Sequence, residues 1–150
     1  MISGENKRKH LSFIQDVIGR MGSNSFLLKG WSITLIIAML TFAISLDEDI
    51  FESEAEKIYL LCLAGALVVV FWALDAFYLS QEKAYRDLYK EVSLKDEGEI
   101  SFSLDVKKFL NDENSWFRSL FAPVFLVFYA PALGLVLFIT IHLSGISLCF

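Results

Sequence analysis

Few side chains in this sequence could support covalent or metal chemistry, and they lie far apart. Histidine and cysteine occur only as His10, His142, Cys62 and Cys149. No G-x-S-x-G, H-E-x-x-H or glycine-rich phosphate loop is present. His10 precedes every long apolar run and His142 lies in the last one, so no shared metal site or catalytic triad is expected. We predict that the protein is not an enzyme, needs no cofactor, and keeps its cysteines as free thiols, with an outer disulfide as the less favoured alternative.

The apolar run at residues 58–80 determines how the rest of the chain is organised. It holds 23 residues with one ionisable side chain, Asp75, and about 20 helical residues suffice to cross the hydrocarbon core of a bilayer. The run shows no period-two alternation, and lipid admits only helices or closed barrels because every backbone polar group must be satisfied. We predict a transmembrane helix that continues into water through the polar sequence QEKAYRDLYKEV.

Two further apolar blocks predict two more spans, at residues 30–46 and 124–148. Of the 13 lysines and arginines, five precede the first block, one lies between the first and second, and seven lie between the second and third. Three spans therefore place 12 of the 13 on one side, which the positive-inside rule makes cytoplasmic. We predict an all-α integral membrane protein forming a single membrane domain, with a cytoplasmic N terminus, an acidic outer loop at 47–57 and an outer C terminus.

The predicted cytoplasmic segments, residues 1–29 and 81–122, contain two helical patterns. The pattern at residues 10–21 predicts a short amphipathic helix. This helix is expected to end at residues 22–25, where Ser23 or Asn24 would cap the next helix. The extension of the second span carries an apolar stripe near heptad spacing, which needs a partner helix from residues 10–21 or from a neighbouring subunit. The stripe consists of Tyr78, Tyr85, Leu88, Tyr89 and Val92.

A strand pattern lies between the second and third spans. Ile100, Phe102 and Leu104 alternate with serines, which is typical of a β-strand, and Asp105 is placed to cap a short helix over 106–112. Because the chain offers no second strand, pairing with a copy of itself would indicate an oligomer. Further on, residues 115–122 predict an interfacial helix, and a proline at 131 predicts a kink in the third span, with a re-entrant hairpin as the alternative.

Small and weakly polar residues line one face of the first span and one face of the second. In lipid such faces usually pack against other helices. They would also suit the wall of a pore, and the acidic outer loop would concentrate cations at its mouth. Asp75 either reaches water, pairs with Lys29 or Lys83, or lines a polar cavity. The candidate pore-lining residues are Thr34, Ala38, Thr41, Ser45, Ala73 and Asp75.

The predicted cytoplasmic side carries nearly balanced charge. Its 12 basic residues face 11 acidic ones, so composition alone does not predict nucleic-acid binding. Two local basic clusters are typical of anchors to anionic lipid. They are Lys7-Arg8-Lys9 with Arg20, and Lys107-Lys108.

The sequence at residues 20–31 is the most distinctive in the chain. Arg20, Met21, Asn24, Ser25, Phe26, Lys29, Gly30 and Trp31 match the pattern R-M-x-x-N-S-F-x-x-K-G-W. Through this motif, and through the long second span that follows it, the chain resembles the small channel-forming membrane effectors of Hailong anti-phage defence. Those effectors are encoded beside nucleotidyltransferases.

The resemblance implies a homo-oligomeric ion channel of the bacterial inner membrane, with a tetramer as the expected assembly. It also implies cytoplasmic control by a single-stranded oligodeoxyadenylate from a partner nucleotidyltransferase, and depolarisation of the infected cell when that control is lost. The candidate ligand-binding residues are Arg20, Asn24 and Lys29 of the motif, together with the basic pair Lys107 and Lys108. The three motif residues suit capping and interface anchoring equally well, and near-neutral cytoplasmic charge is unusual for a protein that binds DNA.

Two functions therefore compete at the level of sequence. A pore predicts that bulky substitutions at Thr34, Thr41 or Ala73 change ion flux without lowering expression. A membrane-anchored adaptor would instead recruit a soluble partner through residues 80–118. It predicts that those substitutions are silent, and that changes at Tyr85, Leu88 or Phe102 abolish function.

Overall fold

The computed structural model describes residues 4–45 and 54–143, and helices account for most of them. The helices are α1 (Glu5–Ser45), α2 (Glu54–Leu94), the five-residue α3 (Trp116–Leu120) and α4 (Pro123–Leu143), with single 3₁₀ turns at Glu97–Glu99 and Lys107–Phe109. Helices α1, α2 and α4 are each long and apolar enough to cross a membrane. An all-α fold with three candidate transmembrane helices is therefore confirmed, and these helices support a multi-pass membrane protein.

Helix α1 corrects one prediction about the N-terminal segment. The expected break at residues 22–25 is wrong, because α1 is one continuous helix of 41 residues. Glycine, serine and asparagine each cost at most about 1 kcal/mol relative to alanine inside a helix. Tertiary contacts outweigh that cost, since Ile14 and Val17 are buried and the Ser25 hydroxyl donates a hydrogen bond to Asp75. Ser23 and Asn24 consequently lie inside the helix and cap nothing.

Helix α2 confirms that the second apolar run continues as one helix into the polar sequence after it. Its 41 residues run from Glu54 to Leu94. On the basis of contacts, the described residues form two compact units. Unit 1 comprises residues 4–27 and 75–120, and unit 2 comprises residues 28–45, 54–74 and 121–143.

Unit 1 has a core built from α1, α2 and the segment that follows α2. The apolar stripe on the extension of α2 was expected to pack against residues 10–21 or against a neighbouring subunit. In the structure it packs against residues 10–21 of the same chain. The buried members of this core are Ile14, Ala84, Leu88, Val92, Ile100 and Val106, with Leu11, Ile18, Tyr85, Tyr89 and Phe109 packed around them.

The predicted strand is absent from the described residues. Residues 100–106 have irregular backbone, and Phe102 has a φ of +32° that no regular strand contains. A strand needs a neighbour for its ladder hydrogen bonds, and burial of Ile100 and Val106 in the core holds this segment instead. Asp105 acts much as expected, because its carboxylate accepts the Lys107 N–H at 3.0 Å. The helix that follows is one 3₁₀ turn rather than the predicted seven residues.

Unit 2 contains the apolar parts of α1 and α2 together with α4. Its buried side chains include Ile36 and Leu40 on α1, Leu61 and Val68 on α2, and Tyr129 on α4. The ring of Tyr129 stacks on that of Trp72, with centroids 6.1 Å apart. Helix α4 runs unbroken through its internal proline, so the described residues contain no re-entrant hairpin. Of the acidic loop predicted at 47–57, residues 54–57 belong to α2 instead, and residues 47–53 lie outside the described residues, as does Cys149. Cys62 is a free thiol.

Candidate functional site

A cavity of about 410 Å³ lies in unit 1, between the end of α2 and the irregular segment after it. Pockets that take small ligands occupy roughly 300–1,000 Å³. The hydrophobic part of the wall comes from core residues such as Leu88 and Ile100. The rest of the wall combines the aromatic rings of His10 and Phe102 with serines, two acids and three lysines, which are Lys95, Lys107 and Lys108. This combination suits a ligand that carries both a negative charge and a flat apolar surface.

The segment that carries the two neighbouring lysines is fixed to α2 by a buried polar network. The Ser80 hydroxyl donates to the Asn114 carbonyl at 2.6 Å. The Asn114 amide nitrogen in turn donates to the Asp87 carboxylate at 2.5 Å and to the Phe109 carbonyl at 3.1 Å. Asn114 is buried, so these bonds replace water at polar groups that would otherwise be costly to desolvate. Lys107 and Lys108 are therefore held on a braced turn.

Glu91 organises the charge on the cavity wall. Lys108 Nζ donates to both of its carboxylate oxygens, at 2.7 and 2.8 Å, and Lys95 Nζ donates to one of them at 2.5 Å. These hydrogen bonds, first from Lys108 and then from Lys95, lower the pKa of the Glu91 carboxyl below its ordinary value. With Asp105 as the second acid and Lys107 as the third lysine, the wall keeps one net positive charge.

His10 contributes a buried imidazole whose Nε2 has no hydrogen-bond partner in the described residues. Its side chain is only 5% exposed. Burial lowers the pKa of His10 below its ordinary value of 6.5, so the ring is neutral at pH 7. A neutral imidazole has one donor and one acceptor nitrogen. An unsatisfied buried polar atom costs about 1–3 kcal/mol of folding free energy. The stability of the fold therefore does not explain why a histidine occupies this position.

Phe102 forms, with His10, a wall between two adjoining cavities. The two rings meet edge to face with centroids 5.4 Å apart. The second cavity, of about 380 Å³, is lined by Asn6, Lys9 and Phe13 together with the same two rings. A positive φ is rare for a bulky residue and tends to occur at functional sites. Phe102 is the one non-glycine residue in the described ranges that adopts it.

The structure gathers only part of the predicted ligand site. Lys107 and Lys108 lie on the wall of the larger cavity. Arg20 is exposed on α1 and Asn24 is half-buried, and neither lines the cavities of unit 1. Lys29 belongs to unit 2, where its Nζ lies 5.0 Å from the centroid of the Phe125 ring.

The predicted pore residues of the first span share one exposed face of α1. Thr34, Ala38 and Thr41 are all exposed. Ser32 and Ile36, which are buried within unit 2, lie about 200° around the helix from Thr34 at 3.6 residues per turn. The face of small residues is thus one of the surfaces of α1 that this chain leaves uncovered, and the large apolar residues Ile33, Leu35 and Ile37 are exposed beside it. Of the other candidates, Ala73 is half-buried, and the side chain of Ser45 lies outside the described residues.

Asp75 occupies a different environment from the other pore candidates. Its side chain is 0% exposed, and the Ser25 hydroxyl donates to it at 2.5 Å. The carboxylate is thus buried inside unit 1 rather than reaching water. One of its partners is a hydroxyl supplied by the motif at residues 20–31.

Sequence reasoning missed His10, Phe102, Lys95 and Glu91 as members of one site. One signal was available, because His10 lies four residues before Ile14 on the apolar face of the first helix. No pattern links the others to it, since residues more than 80 positions apart meet only through the fold.

Comparisons of the chain with family models, with curated proteins and with solved structures found no match. The functional interpretation therefore depends on the chemistry of the two cavities and of the exposed face on α1.

Proposed function

We propose that the protein is an oligomeric ion channel of the bacterial inner membrane, gated from the cytoplasm by a nucleotide-derived signal in anti-phage defence. Release from that signal opens the channel and depolarises the cell. The observation that carries the proposal is the exposed face of Thr34, Ala38 and Thr41 on a helix able to cross a membrane. The resemblance of residues 20–31 to Hailong channel effectors supports the same function.

The composition of the exposed face on α1 favours a pore in an oligomer. The large apolar residues elsewhere on α1 are well suited to contact with lipid. Contact with lipid does not account for a continuous strip of threonine and alanine. Small residues let helices approach closely around an axis, and hydroxyl groups ease the passage of partly hydrated ions. Three spans are too few to enclose a channel alone, so several copies must contribute their first spans. A tetramer is the assembly that the resemblance implies.

The distribution of charge supports control from the cytoplasmic side. The positive-inside rule assigns the segments of unit 1 to the cytoplasm. There the larger cavity offers one net positive charge beside exposed aromatic surface. An oligodeoxyadenylate made by a partner nucleotidyltransferase would supply both a negative backbone and flat bases.

The test is the membrane potential of cells that express the protein without its genomic neighbours, read with a voltage-sensitive dye. The parent is expected to depolarise the cells, and Thr41→Trp is expected to restore the potential by filling the pore. Leu35→Trp is the matched control, because Leu35 is exposed on the same helix about 100° from Thr34. It should depolarise like the parent at equal membrane abundance.

Two results would contradict this proposal. An unchanged potential, with the parent protein found in the membrane, excludes a channel that is open by default. Equal effects of Thr41→Trp and Leu35→Trp would mean that the exposed face of α1 does not line the conducting path. Ion flux from liposomes that contain the purified protein provides a second measurement, free of other cellular channels.

The adaptor alternative has less support from the packing of unit 1. Two of the residues on which it depends, Tyr85 and Leu88, belong to the core rather than to a free surface. Of the three residues at which the adaptor predicts loss of function, Phe102, about half exposed, is the one available to a soluble partner.

A further inference from the structure

The two adjoining cavities of unit 1 bring exposed aromatic rings together with lysines. We infer that they form one groove that binds two successive nucleotides of a single-stranded oligonucleotide, with one base against Phe102 and the next against Phe13. This inference rests on the proposed nucleotide control for its role in gating, but the binding itself can be measured without any conductance.

Exposed aromatic side chains supply the base-binding part of the groove. Phe13 is 50% exposed and Phe102 is 48% exposed, and each lines a cavity that also holds at least one lysine. Proteins that bind single strands stack successive bases on such rings, whatever the base, because every base has a flat face. The cavities share the His10–Phe102 wall, so their two aromatic platforms are adjacent, as consecutive bases require.

Lysines on both cavities supply the phosphate-binding part. Lys9 lies at the smaller cavity, and Lys107 and Lys108 lie at the larger one. Neither Lys9 nor Lys107 has an ion-pair partner within residues 4–45 and 54–143. A phosphate backbone that crosses the shared wall would meet cations on both sides of it, which is the arrangement expected of a groove that follows a strand.

Glu91 acts as an internal competitor for the same cations. In the absence of ligand its carboxylate accepts hydrogen bonds from Lys95 and Lys108, the positions that an incoming phosphate would take. A phosphate that displaces it would gain two lysines and meet the repulsion of the freed carboxylate. Removing the negative charge at position 91 should therefore tighten binding.

His10 supplies a contact to a base edge. Its Nε2 is buried, lacks a partner in the described residues and belongs to a residue on the wall of both cavities. The ring and amino nitrogens of a nucleobase offer an acceptor or a donor that matches either tautomer of a neutral imidazole. A sugar–phosphate chain and the phosphate of a lipid headgroup lack such base nitrogens. A contact with His10 would therefore distinguish a nucleotide ligand from an anion that has no base.

The test measures binding of a fluorescent tetradeoxyadenylate to the purified full chain in nanodiscs of phosphatidylcholine, by fluorescence anisotropy. An abasic tetramer of equal charge and inorganic triphosphate are the competing probes. We expect the tetradeoxyadenylate to bind at least about tenfold more tightly than the abasic tetramer, since base stacking contributes most of the affinity that is not electrostatic. Nanodiscs that contain phosphatidylglycerol should leave this ratio unchanged.

Variants connect the binding to the groove. Phe102→Ala should weaken binding about tenfold and Phe102→Trp should retain it, whereas Phe117→Ala, an exposed phenylalanine of unit 1 outside both cavities, should have no effect. Glu91→Gln should tighten binding severalfold. Lys107→Gln should weaken it and lower the dependence on salt by about one counterion, while Arg118→Gln should not. Circular dichroism of each variant confirms that unit 1 is folded.

Two outcomes would overturn the inference, and a third would overturn only the proposed channel control. Equal affinity for the abasic and the base-containing tetramer would mean a site for phosphate alone, and competition by phosphatidylglycerol would identify that phosphate as a lipid headgroup. Unchanged affinity in folded Phe102→Ala and Glu91→Gln would place the oligonucleotide elsewhere on the protein. If the groove variants change binding while the tetramer leaves ion flux unaffected, the groove stands and the proposed channel control fails.

Discussion

Units 1 and 2 share the helices α1 and α2 but cover their apolar side chains to different degrees. In unit 1 both helices and the segment around Ile100 contribute to a packed core, although residues such as Leu94 and Phe117 remain exposed there. In unit 2 large apolar residues such as Trp31, Val127 and Phe138 remain exposed. A soluble domain seldom exposes so much contiguous apolar surface, whereas lipid solvates it without cost. One helix can therefore pack against protein along one part of its length and suit contact with lipid along another.

Polar side chains show the same contrast. In unit 1 the half-buried hydroxyl of Ser25 and the buried hydroxyl of Ser80 donate to groups on distant segments, at Asp75 and Asn114. In unit 2 the hydroxyls of Thr34 and Thr140 donate to carbonyls four residues earlier in their own helices, at 3.0 and 2.8 Å. Polar groups of unit 1 thus stabilise tertiary structure. The threonine hydroxyls of unit 2 make their hydrogen bonds within their own helices, as a lipid environment requires.

The largest expected effect compares two isoleucines of α1. Ile14→Ala in unit 1 should destabilise the protein by about 2–5 kcal/mol, because it leaves a cavity in a packed core. Ile33→Ala in unit 2 should change stability by less than about 0.5 kcal/mol, because that side chain is covered by detergent or lipid before and after unfolding. Ile14 is 0% exposed and Ile33 is 45% exposed. Denaturation in detergent micelles, followed by circular dichroism, measures both values.

Equal losses in the two variants would break the comparison. They would mean that another copy of the chain buries Ile33 in the assembled protein. The same measurement at several protein concentrations then reveals whether the added stability depends on association.

A smaller effect is expected for the hydrogen bond between Ser25 and Asp75. Ser25→Ala removes a donor from a fully buried carboxylate and should cost about 1–3 kcal/mol. The matched control is Ser23→Ala, because Ser23 is exposed on the same turn of helix. Alanine there should stabilise slightly, since it favours the helix more than serine does. A neutral Ser25→Ala would mean that the other contacts of Asp75 suffice to hold it.

The three apolar spans were predictable because each depends on local composition. An apolar run long enough to cross lipid has few alternatives, so residues 58–80 could be assigned without knowledge of their neighbours. The break expected at residues 22–25 was wrong for the opposite reason. Local helix preferences there are weak, and burial of Ile14 on one side and the bond to Asp75 on the other decide the conformation.

The candidate ligand site could be predicted only in part. The pair Lys107-Lys108 was visible as a basic cluster, but its partner Glu91 lies in another element, 17 residues from Lys108. Phe102 was read as part of a strand because its neighbours alternate, and the positive φ that places its ring beside His10 has no signature in a bulky residue. Distances across the fold, rather than residue types, define this site.

The smallest expected effect is the pH dependence that His10 gives to unit 1. Burial places the pKa of its imidazole below 6.5 in the folded protein, while the unfolded chain binds a proton near that value. The unfolded state therefore holds more protons as the pH falls below 6.5, and stability decreases on acidification by at most about 1.4 kcal/mol per pH unit. His10 contributes no slope well above pH 6.5, where neither state binds the proton. Unfolding measured at intervals from about pH 7.5 to about pH 5 should reveal this decrease.

The variant His10→Gln isolates that contribution, because glutamine keeps a donor and an acceptor but does not titrate in this range. It should flatten the slope between pH 6.5 and pH 5. Glu91 cannot produce the same signal, because hydrogen bonds from Lys108 and Lys95 lower its carboxyl pKa below 4.5, and the stability it contributes is lost only at lower pH. A slope that survives in His10→Gln would assign the dependence to another group. If the slope disappears in His10→Gln and also in the parent protein bound to tetradeoxyadenylate, the bound oligonucleotide contacts the imidazole of His10.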